Sequence, residues 1–148
     1  MSKKLTVQST AFSHGGHIPK KYSCEGDDIN PPLEISGYPR ETKTLALIVD
    51  DPDAPRGIFD HWIAWNIEPN EAIAENANVG TSGRNDFGKI GYGGPCPPSG
   101  SHRYYFKVYA LDTSLQLPSE SGKKELEQAM QGHILASGEL MGHYKKGG

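Results

Sequence analysis

Six short stretches of the chain alternate apolar with polar residues or run on apolar, and they read as strands: Leu5–Ser9, Leu33–Ser36, Thr44–Asp51, His61–Ile67, Arg103–Leu111 and Ile134–Tyr144. Helical spacing appears once. Behind Ser121 as N-cap, Leu126, Ala129, Met130 and His133 recur at three to four residues, and Gly132 stops the run. Several strands with one late helix predict a mostly β fold, an antiparallel β-sandwich with one short helix near the C-terminus. No composition shift divides the chain, so residues 1–148 are expected to form one domain.

Because alternate strand residues share a face, the polar ends of these stretches mark where charge meets the core. Leu45, Leu47 and Val49 share a parity that Asp51 continues; His61 shares one with Ile63, Trp65 and Ile67, and His102 with Tyr104, Phe106 and Val108. If the strand ending at Asp51 lies antiparallel to the one starting at His61, the two residues sit at the same end of a sheet. His102 joins them if its strand runs in the His61 direction.

The 18 Gly and 11 Pro punctuate the strands and form no repeat or low-complexity tail. Two connections stand out by length, Pro52–Asp60 and the stretch from Glu68 to Ser101, and long ordered loops carry function. Gly88–Gly100 holds five Gly and three Pro and is read as a shaped pocket wall.

A net charge of −3 excludes attraction of the whole chain to nucleic acid or an anionic membrane surface, so any anion must be bound locally. The longest aliphatic run, Leu45 to Val49, cannot span a bilayer, and no signal-like apolar region follows Met1-Ser2-Lys3-Lys4, which predicts a cytoplasmic protein. Cys24 and Cys96 could form one bridge, but in that setting free thiols are the expectation.

The residue types then suggest a pocket for a small phosphate-like anion. Asp51 or Asp53, accepting from one imidazole nitrogen, would orient a ring and favour its charged form, leaving the other nitrogen of His61 or His102 to donate to the ligand. Backbone N–H groups at Gly93 and Gly94 would form an anion nest, and the hydroxyl of Tyr92 or Tyr104 would add a donor.

The run Asp51-Pro52-Asp53-Ala54-Pro55 with His61-Trp62, and the run Tyr92-Gly93-Gly94-Pro95-Cys96-Pro97-Pro98-Ser99-Gly100-Ser101-His102-Arg103-Tyr104, resemble the two signatures of the phosphatidylethanolamine-binding protein family. Ile18-Pro19-Lys20-Lys21-Tyr22 and Pro31-Pro32-Leu33 extend the resemblance over nearly the whole chain, closest to the short prokaryotic members labelled Raf-kinase-inhibitor-like. The resemblance implies a β-sandwich with an anion pocket at one end, built from Asp51, Asp53, His61, Gly94, His102 and Tyr104. It also makes Ala54–Pro55 a candidate cis bond. Animal members continue into a C-terminal helix beside the pocket, whereas this sequence stops at Gly148, so a more open mouth or closure by a second subunit is expected.

The function expected is non-catalytic binding of phosphate or a phosphorylated headgroup or side chain, with inhibition of a kinase or protease target and a homodimer as further possibilities, and with no cofactor. The alternative is a metal-dependent hydrolase using the Asp/His cluster. A third reading makes Ser99 or Cys96 a nucleophile with His102 as base, without a nucleophile-elbow motif around either.

Overall fold

The structure is a computed structural model that describes residues 3–70 and 72–148. Its strands are β1 (Lys3–Lys4), β2 (Thr6–Gln8), β3 (Gly16–His17), β4 (Leu33–Ser36), β5 (Thr44–Asp51), β6 (Phe59–Ile67), β7 (Ala72–Ile73), β8 (Thr81–Ser82), β9 (Ser101–Leu111) and β10 (Ile134–Lys145), with one helix, α1 (Lys123–Met130), before the last. The larger sheet runs β1-β10-β9-β5-β6-β8, with β3 also on β10, and the smaller runs β2-β4-β7. The mostly β fold with one late helix is therefore found. One detail differs from the antiparallel expectation: β1 and β3 pair with β10 in parallel, which makes the large sheet mixed. Those two strands are only two residues long and carry no readable alternation.

Strand β5 is buried along nearly its whole length because each face meets a different core. Leu45, Leu47 and Val49 join Val7, Leu33, Ile35 and Ile73 of the smaller sheet in one apolar cluster. Ala46 and Ile48 join Ile63, Trp65, Leu126 and Met130 in a second, under α1. The helix begins one residue later than its pattern suggests. Gly122 is the N-cap and its N–H donates to Glu125 Oε1 at 2.9 Å, while the Ser121 hydroxyl is turned to the Pro118 carbonyl. Gly132, at φ +81°, sits just beyond the end, as a left-handed stop requires.

Two bulges in β6 shape the end of the sheet where the site lies. Val49 pairs with Trp62 and Asp50 with Asp60, so His61 is an extra residue with no partner on β5. A second irregularity lies between the Leu47–Ala64 and Leu45–Ile67 pairs, where Asn66 takes φ +53° and its side chain bonds Leu115 in both directions. The shared parity of His61, Ile63, Trp65 and Ile67 therefore breaks at both ends. Ile63 and Trp65 face α1, whereas Ile67 enters the opposite core and the His61 ring packs on Tyr104 of that same core.

Two further expectations are corrected. The Ala54–Pro55 bond is trans, because Pro55 enters a turn that Gly57 closes by donating its N–H to the Ala54 carbonyl at 3.1 Å. Cys24 and Cys96 are not free thiols; they form a disulfide across 72 residues of sequence. The free-thiol expectation came from compartment alone. The fold supplies the geometry, folding the Gly/Pro wall back so that the Cys24 N–H meets the Pro95 carbonyl at 3.0 Å and the two Cα atoms stand 5.4 Å apart.

Candidate functional site

β5 lies antiparallel to both β6 and β9, so β6 and β9 run the same way and the end of β5 meets their beginnings. That satisfies the condition under which Asp51, His61 and His102 converge. They line a cavity of about 140 Å³ together with Tyr104, Ala54, Pro55, Phe59, Phe87, Cys96, Pro97 and Pro98. The Pro52–Asp60 loop forms one side of its mouth and the Phe87–Pro98 segment the other.

His102 is held by a carboxylate. Its Nδ1 lies 2.7 Å from Asp51 Oδ2, and the other oxygen of Asp51 accepts the Asp53 N–H at 2.7 Å. Asp51 is buried, so both of its oxygens are committed inside the protein. The Nδ1–H of His102 faces the carboxylate, which leaves Nε2 for the cavity.

His61 is held differently from the expectation. Its Nδ1 is 2.7 Å from the Gly93 carbonyl, an atom that only accepts, so Nδ1 carries the proton. The Gly93 N–H in turn donates to the His61 carbonyl at 2.9 Å, which takes up the backbone acceptor the bulge leaves off the β5 ladder. The rings of Phe59, Phe87 and Tyr104 stand within 5.0 to 5.3 Å of the imidazole. Burial there lowers its pKa below the usual histidine value; the Gly93 and Gly94 carbonyls, Asp51 and Asp86 pull upward without overcoming it.

Tyr104 is buried between the two histidines, its ring stacked on His102 at 6.4 Å. Its hydroxyl has no hydrogen-bond partner among the described residues. Burial raises its pKa well above the usual tyrosine value, and Asp51 adds to the rise; the nearby Cys96 amide opposes it in part without completing a hydrogen bond. The phenol is thus a neutral donor.

Four of the proposed pocket residues are engaged in other ways than expected. Asp53 orients no histidine: it grips Arg103, with Oδ2 accepting from Nε at 2.9 Å and Oδ1 from Nη2 at 2.8 Å. Its pKa is held down to about 2 by that guanidinium. Gly93 and Gly94 offer no nest, because their N–H groups are spent on the His61 carbonyl and on Asp28 Oδ1, the latter at 2.7 Å. Tyr92 turns away, its ring edge-on to Trp62 and its hydroxyl donating to the Tyr22 carbonyl at 2.8 Å. The disulfide also removes Cys96 as a thiol nucleophile.

The apolar lining was missed. Phe59 had a signal, since it stands two residues before His61 and pairs with Asp51. Phe87 had none, because a lone aromatic in a Gly-rich loop has no period to place it.

The family model for phosphatidylethanolamine-binding protein matches residues 8–145. The UPF0098 protein of Archaeoglobus fulgidus is 53% identical over 99% of this chain, and the chain spans only 53% of that relative's length. The UPF0098 protein of Pyrococcus horikoshii is 54% identical, covering 97% of this chain and 79% of that protein. A solved phosphatidylethanolamine-binding protein homologue from Chlamydia trachomatis superposes with a TM-score of 0.94 at 49% identity, covering 98% of this chain and 99% of that one. The structure of E. coli YbcL, a member of the same family, gives 0.88 at 32% identity, over 96% and 98% of the two chains. Fold, site motifs and relatives agree, and the chain belongs to the phosphatidylethanolamine-binding protein family.

Proposed function

We propose that this protein is a non-catalytic binding module whose pocket takes a phosphate or phosphorylated small molecule. The observation that carries this reading is the convergence of His61, His102 and Tyr104 on one small cavity, with each imidazole held through Nδ1 and the Tyr104 hydroxyl without a hydrogen-bond partner among the described residues. Groups so placed need a polar ligand or water to complete them.

The carboxylates fit the binding reading better than the hydrolase alternative. Asp51 is used up by His102 and the Asp53 amide, and Asp53 by Arg103, so neither presents a free oxygen to a metal. A kinase or protease target, or a second copy of the chain, would meet the mouth through Ile58, Phe87 and Ile90, apolar side chains exposed on the loops that frame it.

Calorimetric titration with inorganic phosphate at pH 6 and pH 8 tests the reading. The intact protein is expected to bind more tightly at pH 6, and His102→Ala to lose at least tenfold in affinity. Negligible binding by the intact protein at both pH values would end it.

A further inference from the structure

The disulfide joins two loops, and both of its ends are exposed. Cys24 lies in the turn after Tyr22 and Cys96 in the pocket wall, outside every strand and helix. The sheets do not depend on this link. Two apolar clusters, one on each face of β5, hold the strands and α1 together, and a domain of 148 residues buries enough surface to stand without a staple. We propose that the Cys24–Cys96 disulfide is a site of reversible thiol–disulfide exchange, opened by a dithiol reductant, and that its state sets how firmly the outer wall of the pocket is held. Exposed disulfides are the labile and regulatory ones, because a reductant can reach the sulfur.

What the link holds is short and defined. Upstream, the wall is pinned without it: Gly93 bonds His61 in both directions, the Gly94 N–H donates to Asp28 Oδ1 at 2.7 Å, and the Tyr92 hydroxyl donates to the Tyr22 carbonyl at 2.8 Å. Downstream, β9 takes over at Ser101. Between these anchors Cys96, Pro97 and Pro98 line the cavity. The hydrogen bonds that tie this tip down come from the Cys24 N–H to the Pro95 carbonyl at 3.0 Å, from Lys146 Nζ to the Pro98 carbonyl at 3.2 Å and from the Lys146 N–H to the Gly100 carbonyl at 3.0 Å. The first rests on a turn that the disulfide itself fixes, and the others on an exposed lysine. Opening the S–S bond therefore loosens residues 96–100 and Cys24, and leaves His61 and the sheets in place.

In the exchange a thiolate of the reductant attacks one sulfur, the S–S bond breaks and the other cysteine leaves as a thiolate. The reductant's second thiol then displaces the first cysteine and closes the reductant's own disulfide. Two electrons pass to the protein, and the two protons of the dithiol end on Cys24 and Cys96. Glutathione disulfide reverses the change.

The full chain, without denaturant, is treated with dithiothreitol and then with iodoacetamide. Mass spectrometry should find two alkyl groups, on Cys24 and Cys96, while circular dichroism keeps its strand signal. Hydrogen exchange in the reduced protein should be about tenfold faster at the amides of Cys24 and Lys146, which bond the tip, and unchanged at Gly93 and along β5. Glutathione disulfide should restore the slow rates. A double variant, Cys24→Ser with Cys96→Ser, should show the fast pattern with or without reductant. A disulfide that survives dithiothreitol until urea is added overturns the proposal, as does loss of the strand signal on reduction or exchange that does not differ between the two states. A response of the double variant to reductant overturns it too, since the S–S bond is then not its origin. None of these readouts involves a ligand, so failure here is separate from failure of the anion-binding reading.

Discussion

His61 and Gly93 are bonded in both directions, the imidazole Nδ1–H to the Gly93 carbonyl at 2.7 Å and the Gly93 N–H to the His61 carbonyl at 2.9 Å. The bulge that turns the ring into the pocket is thereby tied to the loop that covers it. Neighbouring glycines should differ sharply when substituted. A Cβ on Gly93 runs into the ring of Phe87, a half-exposed side chain that can swing outward, and otherwise comes to ordinary contact with Asn85 Nδ2 at 3.4 Å, so Gly93→Ala is expected to cost about 1 kcal/mol. A Cβ on Gly94 runs into the Tyr22 carbonyl oxygen and the Ser23 Cα, backbone that cannot move aside, and Gly94→Ala should cost about 3 kcal/mol. Urea unfolding of both variants checks the order, and equal losses would contradict it.

The disulfide staples the same wall to the turn after Tyr22. Closing a loop of 72 residues stabilises by about 4 kcal/mol in the chain-entropy picture. Replacing both cysteines by serine is therefore expected to remove about 2–4 kcal/mol. Because Cys96, Pro97 and Pro98 line the cavity, phosphate affinity should fall several-fold as well. Unfolding curves and titrations of the double variant, compared with the reduced intact protein, test both effects.

Much of this architecture was legible in the chain. Thr44–Asp51 and Leu33–Ser36 are strands with the very boundaries their alternation suggests, because their faces meet continuous apolar layers. The meeting of Asp51, His61 and His102 at one end of the sheet followed from strand direction. Parity failed at His61, where a bulge inserts one residue, and such insertions leave no trace in a two-residue period. Hydrogen-bond partners were hidden for a different reason. Asp53 reaches Arg103, and Gly93 reaches His61, through contacts between strands and loops distant in sequence, and residue type alone does not choose among several available acceptors. The pairing of Cys24 with Cys96 was hidden in the same way, since it depends on the wall folding back.

The Asp53–Arg103 pair gives a pH dependence with a definite sign. The folded carboxyl is held down to about 2, chiefly by hydrogen bonds from Arg103, below its unfolded value of 3.8. The unfolded chain binds the proton more readily, so the pair contributes fully above about pH 4 and its contribution is lost as pH falls toward 2. Both partners are partly exposed, and the effect is modest and screened by salt. Asp53→Asn should lower the urea midpoint at pH 6, and the gap between it and the intact protein should close by pH 2. A gap that stays constant over this range would show that the loss has another origin.

Tyr104 separates stability from binding. Its hydroxyl is buried without a partner, a state that costs about 1–3 kcal/mol relative to leaving the group in water. Tyr104→Phe removes the oxygen and keeps the ring that stacks on His102 and meets His61 edge-on, so the histidines should hold their places. The variant is therefore expected to unfold at the same denaturant midpoint as the intact protein or a higher one, while its affinity for inorganic phosphate falls about tenfold, the loss of one neutral donor to a charged acceptor. A structural role for the hydroxyl predicts the reverse, a lower midpoint with unchanged phosphate affinity. Unfolding and titration of the one protein distinguish the two.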